Sequence, residues 1–90
     1  MKLSDLKNDK VVVSLNEYNR KQFLMQAKSE GFKWSLTKDI QDDDDCTFRV
    51  LIDLKLKTIT NVSGMSYAYS QELQDLPIYN FEEKALSLGK

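Results

Sequence analysis

The hydrophobic and polar positions divide the first third of the chain into a strand and a helix. Residues 11–15, Val-Val-Val-Ser-Leu, are apolar and β-branched, as is typical of a strand. Over residues 17–30 the apolar positions recur at helical spacing. Asn16 stands where a helix N-cap belongs, and Gly31 occupies the C′ position at which helices often end. The pattern therefore predicts a strand followed by a helix over residues 17–30.

Beyond the helix the apolar positions alternate with polar ones, which is typical of strands with one buried face. Residues 32–36, 46–53 and 57–62 show this alternation, and so does the stretch from 64 to 70. The apolar parity changes between the second and third of these segments, which indicates a turn there. The first two flank a polar link over residues 38–45. We therefore predict an antiparallel hairpin with this link at its tip.

The two ends of the chain complete the predicted fold. Residues 1–9 are polar and are either flexible or form one helical turn. Pro77 ends a short helical turn, and Asn80-Phe81-Glu82-Glu83 matches a capping box, which predicts a short C-terminal helix. The resulting prediction is one α+β domain over residues 1–90, with the order β-α-β-β-β. One main helix packs on an antiparallel sheet, and a short helix closes the chain.

Composition limits the class of protein. The chain has 90 residues, of which 41% are hydrophobic and 30% charged, enough for one small core. Its net charge of −1 provides no global field that would attract nucleic acid. The single cysteine excludes an intrachain disulfide, the N-terminus has no apolar signal sequence, and no apolar run approaches the ~20 residues of a membrane span. We expect a soluble cytoplasmic protein that does not bind membranes.

The charges are segregated along the chain even though their sum is small. Residues 11–38 carry a net charge of +3, residues 39–48 carry −5, and residues 49–63 carry +2. The negative segment consists of Asp39 and the run Asp42–Asp45. Because neighbouring carboxylates repel one another, such a run belongs in solvent, around a cation or against a basic partner. The predicted hairpin tip would expose it to solvent.

Few residue types for catalysis or metal binding are present. The chain has no histidine, which removes the commonest general base and metal ligand, and Cys46 begins an alternating segment where a small buried residue fits. The three glycines are isolated, so there is no phosphate-binding loop. EF-hand registers that begin at Asp39 or Asp42 lack the required glycine. We expect no enzymatic activity, no catalytic residue, no cofactor and no specific metal site, although weak cation binding by the aspartates remains open.

Two further groups have alternative interpretations. Met65, Tyr67 and Tyr69 have the composition of a protein interface, or else they form the inner face of an edge strand. The basic residues of the helix and the following strand suit an anionic small ligand such as a nucleotide, or else they form a solvated face; these residues are Arg20, Lys21 and Lys33. We do not expect direct nucleic-acid binding, because the adjacent aspartates would repel a phosphate backbone.

The segment from Asn16 to Leu36 resembles part of a known group of small proteins. A strand leads to a helix that ends in Gly31-Phe32-Lys33-Trp34, and an Ile/aromatic segment precedes an acidic Phe-Glu turn over Ile78–Glu83. In these features the chain resembles small early or accessory proteins of phages and mobile elements of low-GC Gram-positive bacteria. Several kinds of these proteins bind and disable host or defence proteins, including CRISPR effectors. The resemblance implies an interaction role in the bacterial cytoplasm and supplies no catalytic residues.

These observations favour a protein-binding inhibitor or modulator that acts on a host or defence nucleic-acid-binding protein. An acidic loop would occupy a basic surface of that partner, and the partner-binding residues would be Asp39, Asp42, Asp43, Asp44 and Asp45, with Met65, Tyr67 and Tyr69 adding apolar contacts. One alternative is a module that sequesters a small ligand or nucleotide through its basic residues. Another is a regulatory or structural interaction subunit. A monomer and a homodimer are both compatible with the sequence.

Overall fold

The computed structural model describes residues 2–81 and 86–88, which form an α+β domain with one main helix, as predicted. The described strands are β1 (Lys10–Ser14), β2 (Lys33–Trp34), β3 (Arg49–Asp53), β4 (Thr58–Val62), β5 (Ile78–Phe81) and β6 (Leu86–Leu88). The helices are α1 (Arg20–Ser29), α2 (Gly64–Tyr69) and α3 (Gln71–Gln74), and a short 3-10 helix (Leu3–Asp5) precedes β1.

The strands form one sheet in the order β2-β4-β3-β1-β5-β6, and this sheet is mixed. The prediction of an antiparallel sheet is wrong, because β1 pairs with β5 and β2 pairs with β4 in parallel. The reason lies in the connections: helical segments join β1 to β2 and β4 to β5, and such crossovers return the chain in its original direction. The β3–β4 pair is an antiparallel hairpin, with the turn after Asp53 where the sequence predicts it.

The two crossovers lie on opposite faces of the sheet. Phe23 and Leu24 of α1 share one core with Val50, which points to one face of β3. The preceding residue, Arg49, points to the other face, where its guanidinium lies 4.4 Å from the ring centroid of Tyr67 in α2. The connection from β1 to β2 and the connection from β4 to β5 run toward opposite edges of the sheet. If both connections are right-handed, as such connections almost always are, they must lie on opposite faces.

Strand β1 lies inside the sheet between β3 and β5, and its sequence suits that position. Val11 and Val13 are fully buried in the core beneath α1. Val12, which points to the opposite face, is also fully buried. An unbroken run of β-branched residues is typical of a strand that is covered on both faces.

Helix α1 ends as predicted and begins later than predicted. Gly31 has a φ of 87°, and the N–H of Phe32 donates to the carbonyl of Ala27 at 2.9 Å, as in a Schellman motif. Asn16, the predicted N-cap, instead closes a turn, since its Oδ1 accepts from the N–H groups of Tyr18 and Asn19. The helix begins only at Arg20, after this turn.

The prediction of a short C-terminal helix is wrong within the described residues. Ile78–Phe81 forms β5, which adds to the edge of β1, and Leu86–Leu88 forms β6. The β-branched and aromatic side chains of β5 fit a pleated surface, and pairing with β1 outweighs the local preference for a helix cap. The glutamates of the predicted capping box, Glu82 and Glu83, lie outside the described residues.

The predicted hairpin between residues 32–36 and 46–53 is also wrong. Strand β2 has only two residues, and it pairs with β4 rather than β3. The chain turns immediately after Trp34, whose carbonyl accepts from the N–H of Thr37 at 2.8 Å. Residues 35–48 therefore form a long connection that carries the aspartates to α1.

Candidate functional site

The aspartate segment, residues 39–45, lies across α1 and not at the tip of a hairpin. Lys21 of α1 holds its main chain, because the Nζ donates to the carbonyl oxygen of Asp42 at 3.1 Å and to that of Asp44 at 3.0 Å. Ile40 anchors the beginning of the segment and is only 1% exposed. The N–H of Asp44 donates to the carbonyl of Gln41, so the segment is a turn and not an extended strand. These contacts fix its conformation on the helix.

Asp44 stabilises the aspartate segment through hydrogen bonds to its carboxylate. Its Oδ2 accepts from the backbone N–H of Gln41 at 2.8 Å and from the indole Nε1–H of Trp34 at 2.9 Å. These two hydrogen bonds, led by that of Gln41, lower the pKa of the Asp44 carboxyl. Trp34 is half-buried and also packs against the core. Asp44 therefore connects the acidic segment to the core.

The other carboxylates face solvent beside cations of the same chain. The ion pairs join Asp42 to Lys28 at 2.8 Å, Asp45 to Arg20 at 3.3 Å and Asp39 to Lys33 at 3.5 Å. The hydrogen bond between Lys28 and Asp42 raises the pKa of the lysine and lowers that of the aspartate. These three carboxylate side chains are 62–84% exposed, so solvent screens the pairs strongly.

Asp43 differs from its neighbours. It is exposed, and its carboxylate forms no ion pair or hydrogen bond with the residues that the structure describes. The segment thus combines one braced carboxylate, three exposed and paired carboxylates, and one that faces solvent alone.

The basic residues of the alternative ligand site already have partners within the chain. Arg20 contacts Asp45, Lys21 holds the main chain of the aspartate segment, and Lys33 contacts Asp39. Arg20 also donates through Nη1 to the carbonyl of Cys46 at 2.8 Å. The structure therefore brings these three cations to the acidic segment and does not assemble them into one open basic face.

The predicted apolar stripe divides between two sides of α2. Met65, Tyr67 and Tyr69 do not lie on a strand, because Ser63 caps a helix there: its Oγ accepts from the N–H of Ser66 at 3.0 Å. In a helix, residues four apart share a face and residues two apart do not. Met65 and Tyr69 are accordingly 73% and 86% exposed, while Tyr67 is half-buried against Arg49.

A crevice of about 630 Å³ opens between the ends of β1 and β4 and the beginning of β3. Its lining residues come from four parts of the chain and are Ser14, Arg20, Cys46, Thr47, Phe48, Arg49, Val62, Ser63 and Gly64. The Arg20 guanidinium lies over the ring of Phe48, with 5.0 Å between its Cζ and the ring centroid. Phe48 is nevertheless 56% exposed.

Sequence reasoning missed Phe48 and Arg49 as functional candidates. The alternation of residues 46–53 places Phe48 inside with Val50, but the strand begins only at Arg49, so the parity does not extend back to Phe48. The signal available in the sequence was the adjacency of an aromatic residue and an arginine at a strand start.

Cys46 is buried at the edge of this crevice, as predicted for a small apolar residue. Burial raises the pKa of its thiol to about 11, and the neighbouring Asp45 carboxylate adds to the effect. Within residues 2–81 and 86–88, no group of three or more potential metal ligands is assembled. No helix in the same part of the chain is long and apolar enough to cross a membrane.

The comparisons with known proteins give no match to a family model, to a curated protein or to a solved structure.

Proposed function

We propose that this protein is a small binding protein that occupies a basic surface on another protein and thereby inhibits or modulates it. The observation that carries this proposal is the aspartate segment, whose main chain is fixed on α1 while the carboxylates of Asp42, Asp43 and Asp45 remain largely exposed. The resemblance to phage and mobile-element proteins suggests the target class, a host or defence protein that binds nucleic acid in the bacterial cytoplasm.

A fixed segment binds at a lower entropic cost than a mobile one. Lys21, Trp34 and Ile40 already hold the backbone in one conformation, so a partner does not have to order it. Because the segment turns at residues 41–44, its carboxylates do not follow an extended line of phosphates. We therefore expect it to engage a local group of arginine or lysine side chains.

The cations of the chain itself shape this interaction. Arg20 and Lys28 neutralise part of the negative field, so long-range attraction of a partner is weak. At short range an arginine of the partner can replace an exposed ion pair at little cost and form bidentate bonds with a carboxylate. Asp43 can accept such a bond without giving up an ion pair, because it has none with the described residues. Binding should thus depend on close contact more than on electrostatic steering.

Met65 and Tyr69 provide a second exposed surface with the composition of protein interfaces. A methionine and a tyrosine on one face of a short helix supply adaptable apolar area, which the acidic segment lacks. Because α2 lies on the face of the sheet opposite to α1, we propose that they form a separate apolar contact surface and not an extension of the acidic one.

The experiment that tests this function compares two triple variants as bait in a lysate of a low-GC Gram-positive bacterium. The test variant carries Asp42→Asn, Asp43→Asn and Asp45→Asn. It retains Asp44, because the hydrogen bonds from Trp34 and Gln41 make that residue structural. The control variant makes the same change in net charge at exposed carboxylates whose side chains form no hydrogen bond or ion pair with the described residues; it carries Asp9→Asn, Glu17→Gln and Glu72→Gln.

We expect the wild type and the control variant to capture a nucleic-acid-binding protein that excess heparin releases. The test variant should bind the purified partner at least tenfold more weakly, with an unchanged circular dichroism spectrum. Equal affinity of the test variant and the wild type would refute the role of the aspartates. Capture of a partner that heparin does not displace would refute the basic surface.

A further inference from the structure

The crevice beside Arg49 lies where the sheet changes the direction of its connections. Ser14 ends β1, Val62 ends β4, and both pair with Arg49 across the sheet. These two strands run in the same direction, and their crossovers leave toward opposite faces. In open α/β sheets, ligands bind outside the carboxyl ends of the strands at such a switch point. This mixed sheet reproduces that geometry, with the start of β3 between the two strand ends.

Arg49 is the cation in this crevice that has no competing acid. Its guanidinium rests on the ring of Tyr67, 4.4 Å from the centroid, and it forms no ion pair or hydrogen bond with the residues described. The neighbouring Ser14 hydroxyl likewise has no hydrogen bond within the described chain. Stacking on an aromatic ring fixes the plane of a guanidinium while leaving its N–H groups free for an anion. Arg49 and Ser14 thus offer donors side by side.

Phe48 and Arg20 form the opposite wall. Arg20 covers one face of the Phe48 ring, and the exposure of Phe48 leaves apolar surface toward the crevice. The Nε of Arg20 is buried and has no partner among the described residues. The volume of about 630 Å³ lies within the range of small-molecule sites. The crevice therefore combines a free cationic donor, an apolar ring and room for a small molecule.

We propose that this crevice binds a small organic anion of the nucleotide class, with its phosphate on Arg49 and its planar ring against Phe48. The shared chemistry is an anionic group attached to a planar ring, so an aromatic carboxylate is the other source of the same contacts. The site uses β3 and α2 and does not require the aspartate segment to bind a partner. It differs from the basic residues that the sequence suggested, since only Arg20 belongs to both.

The test is a calorimetric titration of the full chain with four probes: adenosine 5′-monophosphate, adenosine, inorganic phosphate and benzoate. We expect saturable binding of the nucleotide, and at least tenfold weaker binding of adenosine and of inorganic phosphate, because each lacks one half of the recognition. Amide NMR shifts should move at Phe48, Arg49 and Gly64. Tighter binding of benzoate than of the nucleotide would identify a carboxylate as the anion. Absence of saturable binding by both, or equal affinity for adenosine and the nucleotide, would overturn the proposal.

Substitutions at Arg49, compared with one at Lys55, locate the anion. Arg49→Gln should weaken nucleotide binding at least tenfold, whereas Lys55→Gln, the same charge change in the exposed turn after β3, should leave it unchanged. Arg49→Lys retains the charge and loses the planar fork, so it should bind with intermediate affinity even if the glutamine variant folds poorly. A variant that carries only Asp42→Asn and Asp43→Asn should bind the nucleotide like the wild type, which separates this site from the proposed protein interface; it retains Asp45, because that carboxylate pairs with Arg20 of the crevice. Loss of binding in Lys55→Gln equal to that in Arg49→Gln would refute the assignment.

Discussion

Glu30 connects the N-terminal segment to the end of α1, and its replacement gives a quantitative prediction. Its carboxylate accepts from the N–H of Leu3 at 2.9 Å, from the N–H and the hydroxyl of Ser4 at 3.0 Å each, and from Nε2 of Gln26 at 2.9 Å. Leu3 is fully buried in the core. A Glu30→Gln variant retains only one oxygen acceptor and turns an NH₂ group toward donors.

The expected loss follows from these contacts. A hydrogen bond to a charged group contributes about 1.5–3 kcal/mol in favourable cases. Glu30 is partly exposed, so solvent screens each bond and the glutamine retains part of the set. We expect Glu30→Gln to lower the free energy of unfolding by about 1–2 kcal/mol, which corresponds to a Tm lower by about 5–12 °C in a domain of this size. Urea denaturation and thermal unfolding at pH 7 measure both, with Glu17→Gln as the matched exposed control.

The pH dependence of stability distinguishes a contribution of the Glu30 charge from a contribution of side-chain packing. Partial burial of Glu30 raises its pKa, but the hydrogen bonds from Gln26, Leu3 and Ser4 together lower it below the ordinary value of 4.5. A lowered folded-state pKa stabilises the protein above pH 4.5, and this contribution is lost as the pH falls through the folded-state value. The difference between wild type and Glu30→Gln should therefore shrink below about pH 4.5. An equal difference at pH 7 and pH 3, or none at pH 7, would refute the reasoning.

Three smaller predictions concern single side chains. Trp34→Phe retains the ring packing but removes the hydrogen bond to Asp44, so amide exchange over residues 41–45 should accelerate while exchange in β1 stays unchanged; equal protection in both proteins would contradict the bracing role. The buried Cys46 thiol, with its pKa near 11, should react with a thiol reagent at pH 8 at least a hundredfold more slowly in the folded than in the urea-unfolded protein; a fast native reaction would contradict it. Thr37 is a β-branched residue with a φ of 62°, a backbone conformation that favours glycine, so Thr37→Gly should raise the free energy of unfolding by about 1 kcal/mol; a lower Tm would show that the backbone is not strained there.

The local signals in the sequence located most elements of the fold. The valine run predicted β1, Gly31 predicted the end of α1, and the change of parity after Asp53 predicted the turn between β3 and β4. Each of these features depends on residues within a few positions of one another. For that reason a single sequence sufficed to identify them.

The pairing of distant segments did not follow from the sequence. The capping pattern around Asn80 favoured a helix, and only the open edge of β1 explains why Ile78–Phe81 forms a strand. Alternation also suggested a strand through Met65 and Tyr69; there the signal for a helix, the Ser63 cap, is local and was missed. A local pattern can be compatible with both a helix and a strand, and contacts with distant segments then determine which of the two forms.

The candidate site shows the same division. The density of aspartates marked the acidic segment, but no local signal showed that Trp34 and Lys21 would hold it. The sequence did not indicate the crevice, because strand pairing alone brings Ser14, Arg49 and Val62 together. Side chains from separate segments form a row that no spacing in the sequence reveals.

The position of β1 has a consequence for the synthesis of the protein. This strand leaves the ribosome before its two neighbours, and one of them, β5, is among the last described segments of the chain. Until β3 and β5 arrive, the three valines of β1 have unpaired edges, which are templates for pairing with other chains. The nascent protein therefore passes through a stage prone to aggregation, and a chain that stops before Ile78 retains that open edge permanently.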